Sequence, residues 1–229
     1  MIWIIFIGFM IISFAVSSKL KSKFKKYSQI PLTANLTGAQ VAEAMLRDHG
    51  ITDARVVSVE GRLTDHYNPA DRTVNLSPDV YHGRSAAAVA VAAHECGHAV
   101  QHATAYSMLE FRSAMVPVQN ASGKILNIVV LLSIFGGALL ANLPYEFIGI
   151  IVVGTYSVLT LFSVVTLPVE FDASKRALAW IDKRGIVTST EYDMAKDALK
   201  WAAMTYIVAA LASIVTLLYY ATMFFGGRD

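Results

Sequence analysis

Four long apolar stretches constrain this chain more than any other feature: Ile2 to Val16, Ile125 to Leu140, Phe147 to Leu167, and about Ala202 to Phe225. Hydrocarbon offers no water to backbone N–H and C=O groups, so a segment of about 20 apolar residues crosses it as a helix. The third and fourth stretches reach that length, and the first two approach it with their flanking Ser17, Ser18 and Ala141. Composition points the same way. Of 229 residues 55% are hydrophobic and only 16% charged, against about 25% charged in an ordinary soluble domain. The chain is therefore expected to be mainly α and polytopic, with four transmembrane helices.

Charge placement orients those helices. Lys19, Lys21, Lys23, Lys25 and Lys26 follow the first stretch rather than precede it, so it does not read as a cleavable signal peptide. By the positive-inside rule the lysine tract lies in the cytoplasm, where it is also suited to anionic head groups. Lys124 precedes the second stretch and Lys175 and Arg176 follow the third, while the link from Ala141 to Glu146 holds no Lys or Arg. Both feet of that hairpin are thus expected in the cytoplasm, with the C-terminus outside. The lipid bilayer is an expected partner and nucleic acid is not.

Between the first and second stretches the pattern is that of a small folded region. Thr37-x-x-Gln40 is a capping box, and Gly50 follows a plausible last turn, which predicts a helix from about Gly38 to His49. Ala54 to Val59 is a strand candidate. Leu63 to Tyr67 and Arg72 to Leu76 flank the turn signal Asn68-Pro69-Ala70-Asp71, so a hairpin or small sheet is expected. Ser77-Pro78 and Ser85 read as two successive helix starts.

The second of those helices opens with the run Ala86 to Ala93 and continues into His94-Glu95-Cys96-Gly97-His98. Histidines four apart on a helix project from one face, so both imidazoles can reach a single zinc ion with Glu95 beside the open position. A zinc hydrolase needs this pair of functions, a metal that acidifies water and a carboxylate that takes the proton. Gly97 leaves room for a close approach. Cys96, the sole cysteine, is turned about 200° from His94 on a helix and reads as a small packing residue.

A catalytic zinc usually takes three protein ligands. The extended pattern with glycine and histidine further along the same segment is excluded, since positions 101 and 104 are Gln101 and Thr104. His102 is nearby but drifts one more turn from the metal. Glu170 is the stronger candidate, because a carboxylate so close to the end of an apolar span is costly without a cation to meet it. Asp172 is its rival in the same segment. For the developing oxyanion, His66, Tyr81, His82 and Arg176 are candidate donors, and an exposed strand such as Arg72 to Leu76 could pair with an extended substrate.

His94-Glu95-x-x-His98, a membrane hairpin and then Glu-x-x-Ala at 170 to 173 resemble the gluzincin-type integral membrane endopeptidases, which include the HtpX heat-shock protease and the prenyl-protein proteases. The nearer likeness is to the small bacterial YugP-like membrane zinc metallopeptidases, carried by the strings HECGHA (94–99) and VEFDAS (169–174). The resemblance implies zinc as cofactor, His94, His98 and Glu170 as its ligands, and Glu95 as general base. It also implies a multi-pass enzyme of the bacterial inner membrane whose active site faces the cytoplasm. Gluzincins usually carry an aspartate four residues after the ligand glutamate, bonded to the first histidine. Here that residue is Ser174, so Ser174 itself or Asp172 from another angle is a candidate support for a ligand histidine, or the support is missing.

The expected organisation is a first span at 1–18, a cytoplasmic catalytic region at 19–124 and a transmembrane hairpin at 125–167. A cytoplasmic helical region with the third ligand follows at 168–201, then the fourth span and C-terminus at 202–229. A small α+β zinc-metallopeptidase domain would thus sit on the cytoplasmic side, hydrolysing membrane or membrane-proximal polypeptides with a zinc-activated water. Two other classes compete. A zinc-stabilised adaptor would need the metal but not Glu95, and a small transporter would need polar groups that the apolar stretches almost wholly lack.

Overall fold

The computed structural model describes residues 2–136 and 143–227. Along the chain it has α1 (Ile2–Ser28), α2 (Gly38–Asp48), β1 (Arg55–Ser58), β2 (His66–Asn68), β3 (Thr73–Leu76), α3 (Pro78–Tyr81), α4 (Ala86–Ala103), α5 (Ser107–Phe135), α6 (Tyr145–Lys183) and α7 (Ser189–Phe225). The chain is thus mainly helical with one small sheet. Helices α1, α5, α6 and α7 are each long and apolar enough to cross a membrane. Residues 137–140 of the expected second span, and Ala141 and Asn142 of the expected hairpin turn, lie outside the described residues.

These helices run well past the apolar stretches that mark them. At 1.5 Å per residue, the 39 residues of α6 extend about 58 Å, roughly twice the hydrocarbon thickness of about 30 Å. Leu167 and Glu170 therefore share one unbroken helix. Pro168 lies inside it, and lacking an N–H it leaves the carbonyl of Val164 without its usual helical partner. Similarly, α5 begins at Ser107, well before the first apolar residue of its span.

The described chain forms two compact units. One comprises Met1–Phe14, Phe111–Leu167 and Tyr206–Asp229. Within it α6 meets α7: Thr160 Oγ1 donates to the Ser213 carbonyl at 3.1 Å, and the Tyr156 and Tyr220 rings stack with centroids 5.0 Å apart. A Cβ on Gly149 would come within 2.9 Å of the Phe224 ring, so the small residue permits the close helix approach common between membrane helices. Trp3, Ile4, Phe14 and Phe135 are each more than 70% exposed, a surface costly in water and suited to lipid.

The other unit comprises Ala15–Glu110 and Pro168–Thr205. Its α2 starts as the sequence predicts, with the Thr37 hydroxyl accepting from Gln40 N and the Gln40 side chain accepting from Thr37 N. The sheet has the order β1-β3-β2, with β1 parallel and β2 antiparallel to β3. The hairpin turn is held by Asn68 Oδ1, which accepts from Ala70 N at 2.9 Å, and Arg72 takes a left-handed φ of 51° where the chain re-enters the sheet. Residues Arg72 to Leu76, expected above as an exposed strand, instead supply the central strand. Both edges of β3 are paired and all four of its residues are buried, so it has no free edge for a substrate. The unpaired edges belong to β1 and β2, both partly exposed.

The core of this unit packs Val41, Met45 and Leu46 of α2, Val74 and Leu76 of β3, Val80 of α3 and the alanine- and valine-rich face of α4 against Ala177 and Ile181 of α6. The loop before α2 is tied to the start of α7 by Glu191. Its Oε2 accepts from Thr188 N and Oγ1, and its Oε1 accepts from Thr33 N and Oγ1, at 2.6 to 2.9 Å. Burial alone would raise the Glu191 carboxyl, but these four donors prevail and hold it below its usual value.

Candidate metal centre

The site is built on α4. Ser85 caps the helix by accepting from Ala88 N at 3.2 Å, and small side chains from Ala86 to Ala93 bury it in the core. The apolar helix thereby carries His94, Glu95 and His98 into the interior. The two imidazoles stand on one face with ring centroids 4.8 Å apart. Opposite them is Glu170 of α6, whose Oε2 lies 3.3 Å from His94 Nε2 and 3.6 Å from His98 Nε2. His94, His98 and Glu170 each offer one ligand atom, all within 4.8 Å of one another, and the group can hold a metal ion.

Gly97 explains how α6 comes so near. A Cβ at this position would lie 2.5 Å from the Ala173 carbonyl oxygen, which is backbone and cannot swing aside. Gly97→Ala is therefore expected to force α4 and the 170–174 segment apart. The cost should be about 1–3 kcal/mol, the usual range for an added methyl group in a full interior, and zinc affinity should fall together with the melting temperature. A variant that kept both would show that the close approach is dispensable.

The hydrogen bonds behind the histidines fix which nitrogens face the centre. Gln101 Nε2 donates to the Val169 carbonyl at 2.8 Å and to Asp172 Oδ2 at 2.9 Å. Both partners are acceptors only, so the amide orientation is set and its Oε1 is the atom 3.0 Å from His98 Nδ1. Nδ1 must then carry a proton, which leaves Nε2 as the nitrogen that faces Glu170. On the other histidine, His94 Nδ1 meets Ser174 Oγ at 3.1 Å.

Burial opposes a charge on Glu170 while the imidazoles facing it favour one, and the balance holds its carboxyl well below the usual range. Its Oε2 is buried and has no hydrogen-bond partner. An acceptor-only oxygen, sealed from water and without a hydrogen bond, is costly unless positive charge meets it, carried either by protons on the facing imidazoles or by a cation between them. Two imidazoles and a carboxylate around a shared centre form the donor set of a catalytic zinc site, so the residues present fit the metal.

Glu95 is buried beside the trio, 8% exposed. Burial pushes its carboxyl up against the pull of His94 and His98, with the charges of Glu170 and Asp65 adding to the rise. Asp65 itself is held by Ser77, whose N and Oγ donate to Asp65 Oδ1 at 2.7 and 3.0 Å.

The remaining sequence candidates stand apart from the trio. His102 Nδ1 pairs with the Tyr67 hydroxyl at 2.8 Å. Asp172 accepts from Gln101 and from Arg176 Nε, the latter at 2.5 Å, and the Arg176 guanidinium also lies 5.7 Å from the centre of the Tyr106 ring. His66, on the edge strand β2, turns Nδ1 to the Thr64 carbonyl at 2.7 Å. Tyr81 and His82 meet ring to ring. Cys96 packs in the core with Sγ 3.5 Å from the Ala42 carbonyl, and burial pushes its thiol far up. Of the candidate supports, Ser174 itself reaches His94 Nδ1, while Asp172 lies behind the other histidine. Gln101 was not singled out from sequence, although its place three residues after His98 on a helix gave the signal.

The chain matches, over residues 2–225, the family model described as "Putative neutral zinc metallopeptidase". It is 42% identical over 219 residues to "Putative membrane protease YugP" of Bacillus subtilis (strain 168), an alignment covering 95% of this chain and 94% of that relative. No solved structure matches it.

Proposed function

Since the chain belongs to the neutral zinc metallopeptidase family, we propose that it is a multi-pass zinc endopeptidase of the bacterial inner membrane that cuts membrane or membrane-proximal polypeptides at the cytoplasmic face. The observation that carries this reading is Glu170 Oε2, buried without a hydrogen bond and facing the nitrogens of two histidines. His94, His98 and Glu170 are the residues that would hold the metal. Bound there, zinc supplies a Lewis acid for the scissile carbonyl and lowers the pKa of a water towards about 7.

The rest of the chemistry belongs to the chain. Glu95 follows His94 directly and is shielded from solvent, well placed to take the proton of the attacking water and deliver it to the leaving amine. Ser174 and Gln101 orient the two imidazoles from behind. Strand β2, at an edge of the sheet, meets α4 through the Tyr67–His102 contact, and its unpaired edge would offer an extended substrate a short row of backbone partners. The lysine tract of α1, with Lys124, Lys175 and Arg176, supports the cytoplasmic orientation.

The test is chelation. Purified protein in detergent should cleave an unfolded membrane-protein substrate, lose that activity to a zinc chelator and regain it when zinc is restored. Cleavage that continues after complete zinc removal would overturn the proposal.

A further inference from the structure

We propose that Gln101 is a positioning residue for the metal centre, and that Arg176 acts on zinc through it along the chain Arg176, Asp172, Gln101, His98. This rests on the zinc reading of the site given above. Gln101 is fully buried, 0% exposed, on a helix rich in alanine and valine, where an amide is costly unless its hydrogen bonds are made. They are made with a particular result. One side chain accepts from His98 Nδ1 and donates to the carbonyl of Val169, the residue immediately before Glu170. A single amide thus fixes the proton on one ligand and the backbone carrying another, joining positions 68 residues apart.

The second donor hydrogen of Gln101 goes to Asp172 Oδ2, the same oxygen that accepts from Arg176 Nε. Arg176 holds that carboxylate in place, and the carboxylate holds the amide. Without the amide, His98 is free to place its proton on Nε2, which removes the lone pair a metal needs. Arg176 is a third exposed and far enough along α6 not to be a ligand itself, so it acts on the metal only through this chain.

The experiment is a zinc titration of the full-length protein in detergent against a chromophoric chelator, with the cobalt absorption spectrum as a second readout. Gln101→Ala should weaken zinc by about 10–100-fold, the range for losing a partner behind a ligating histidine, and should shift the cobalt bands. Arg176→Ala should weaken zinc less, Arg176→Lys should restore most of the loss, and Arg176→Ala should add nothing once Gln101 is already alanine. Should Gln101→Ala fail to fold by circular dichroism, the Arg176 pair and the cobalt spectrum carry the test. Wild-type affinity in Gln101→Ala, or an Arg176 effect undiminished in the Gln101→Ala background, would overturn the inference. A wild-type protein that binds no zinc would instead overturn the site reading, and this inference with it.

Discussion

Glu95→Gln is expected to reduce peptide-bond cleavage by about 10²–10⁴-fold, the usual contribution of a positioned general base, while zinc content stays at the wild-type level. Glutamine has nearly the same shape as the glutamate it replaces, so the packing around this buried position changes little. It cannot accept a proton from water at neutral pH. Because Glu95 is not a member of the metal-holding trio, the metal should remain. The measurement is turnover alongside metal analysis of the same preparation. This variant also separates the enzyme from a zinc-stabilised adaptor, which would keep its biological role without the carboxylate. Unchanged turnover would remove Glu95 from the mechanism.

Glu170→Ala is expected to act one step earlier, on the metal itself. It deletes the only carboxylate of the trio and leaves two imidazoles, so zinc affinity should fall by more than the 10–100-fold typical of losing a supporting partner, and activity with it. The fold should survive. In the metal-free protein the two facing imidazoles hold this carboxylate charged, so removing one side of the buried contact should also lower the metal-free melting temperature. Lost zinc affinity in protein that is still folded by circular dichroism is what distinguishes a ligand from a structural ion-pair partner. Wild-type zinc affinity in folded Glu170→Ala would mark Glu170 as structural instead.

The parts of this architecture written in local spacing were readable from sequence. The two histidines four apart, the Ser85 cap, the Thr37–Gln40 capping box and the turn at Asn68 to Asp71 each depend on residues within one or two turns of chain. What was hidden depends on distant partners. The parallel pairing of β1 with β3 places the expected edge strand in the middle of the sheet, and no pattern within Arg72 to Leu76 announces that. The His94–Ser174 contact joins residues 80 apart, and the Gln101–Val169 contact joins residues 68 apart. Position 174 invited comparison with an aspartate, and sequence left open whether Ser174 or Asp172 takes that part. The serine hydroxyl meets the first histidine. Helix length was hidden too, because hydropathy marks where a helix is apolar and says little of how far it continues, as α6 does past Pro168.

The most direct measurement is X-ray absorption at the zinc edge of the purified wild-type protein. Two imidazole nitrogens at about 2.0–2.1 Å, with the remaining ligands oxygen and no sulfur, is the result expected for His94, His98 and Glu170. A third imidazole, or a sulfur at about 2.3 Å, would bring His102 or Cys96 to the metal and contradict the site described here.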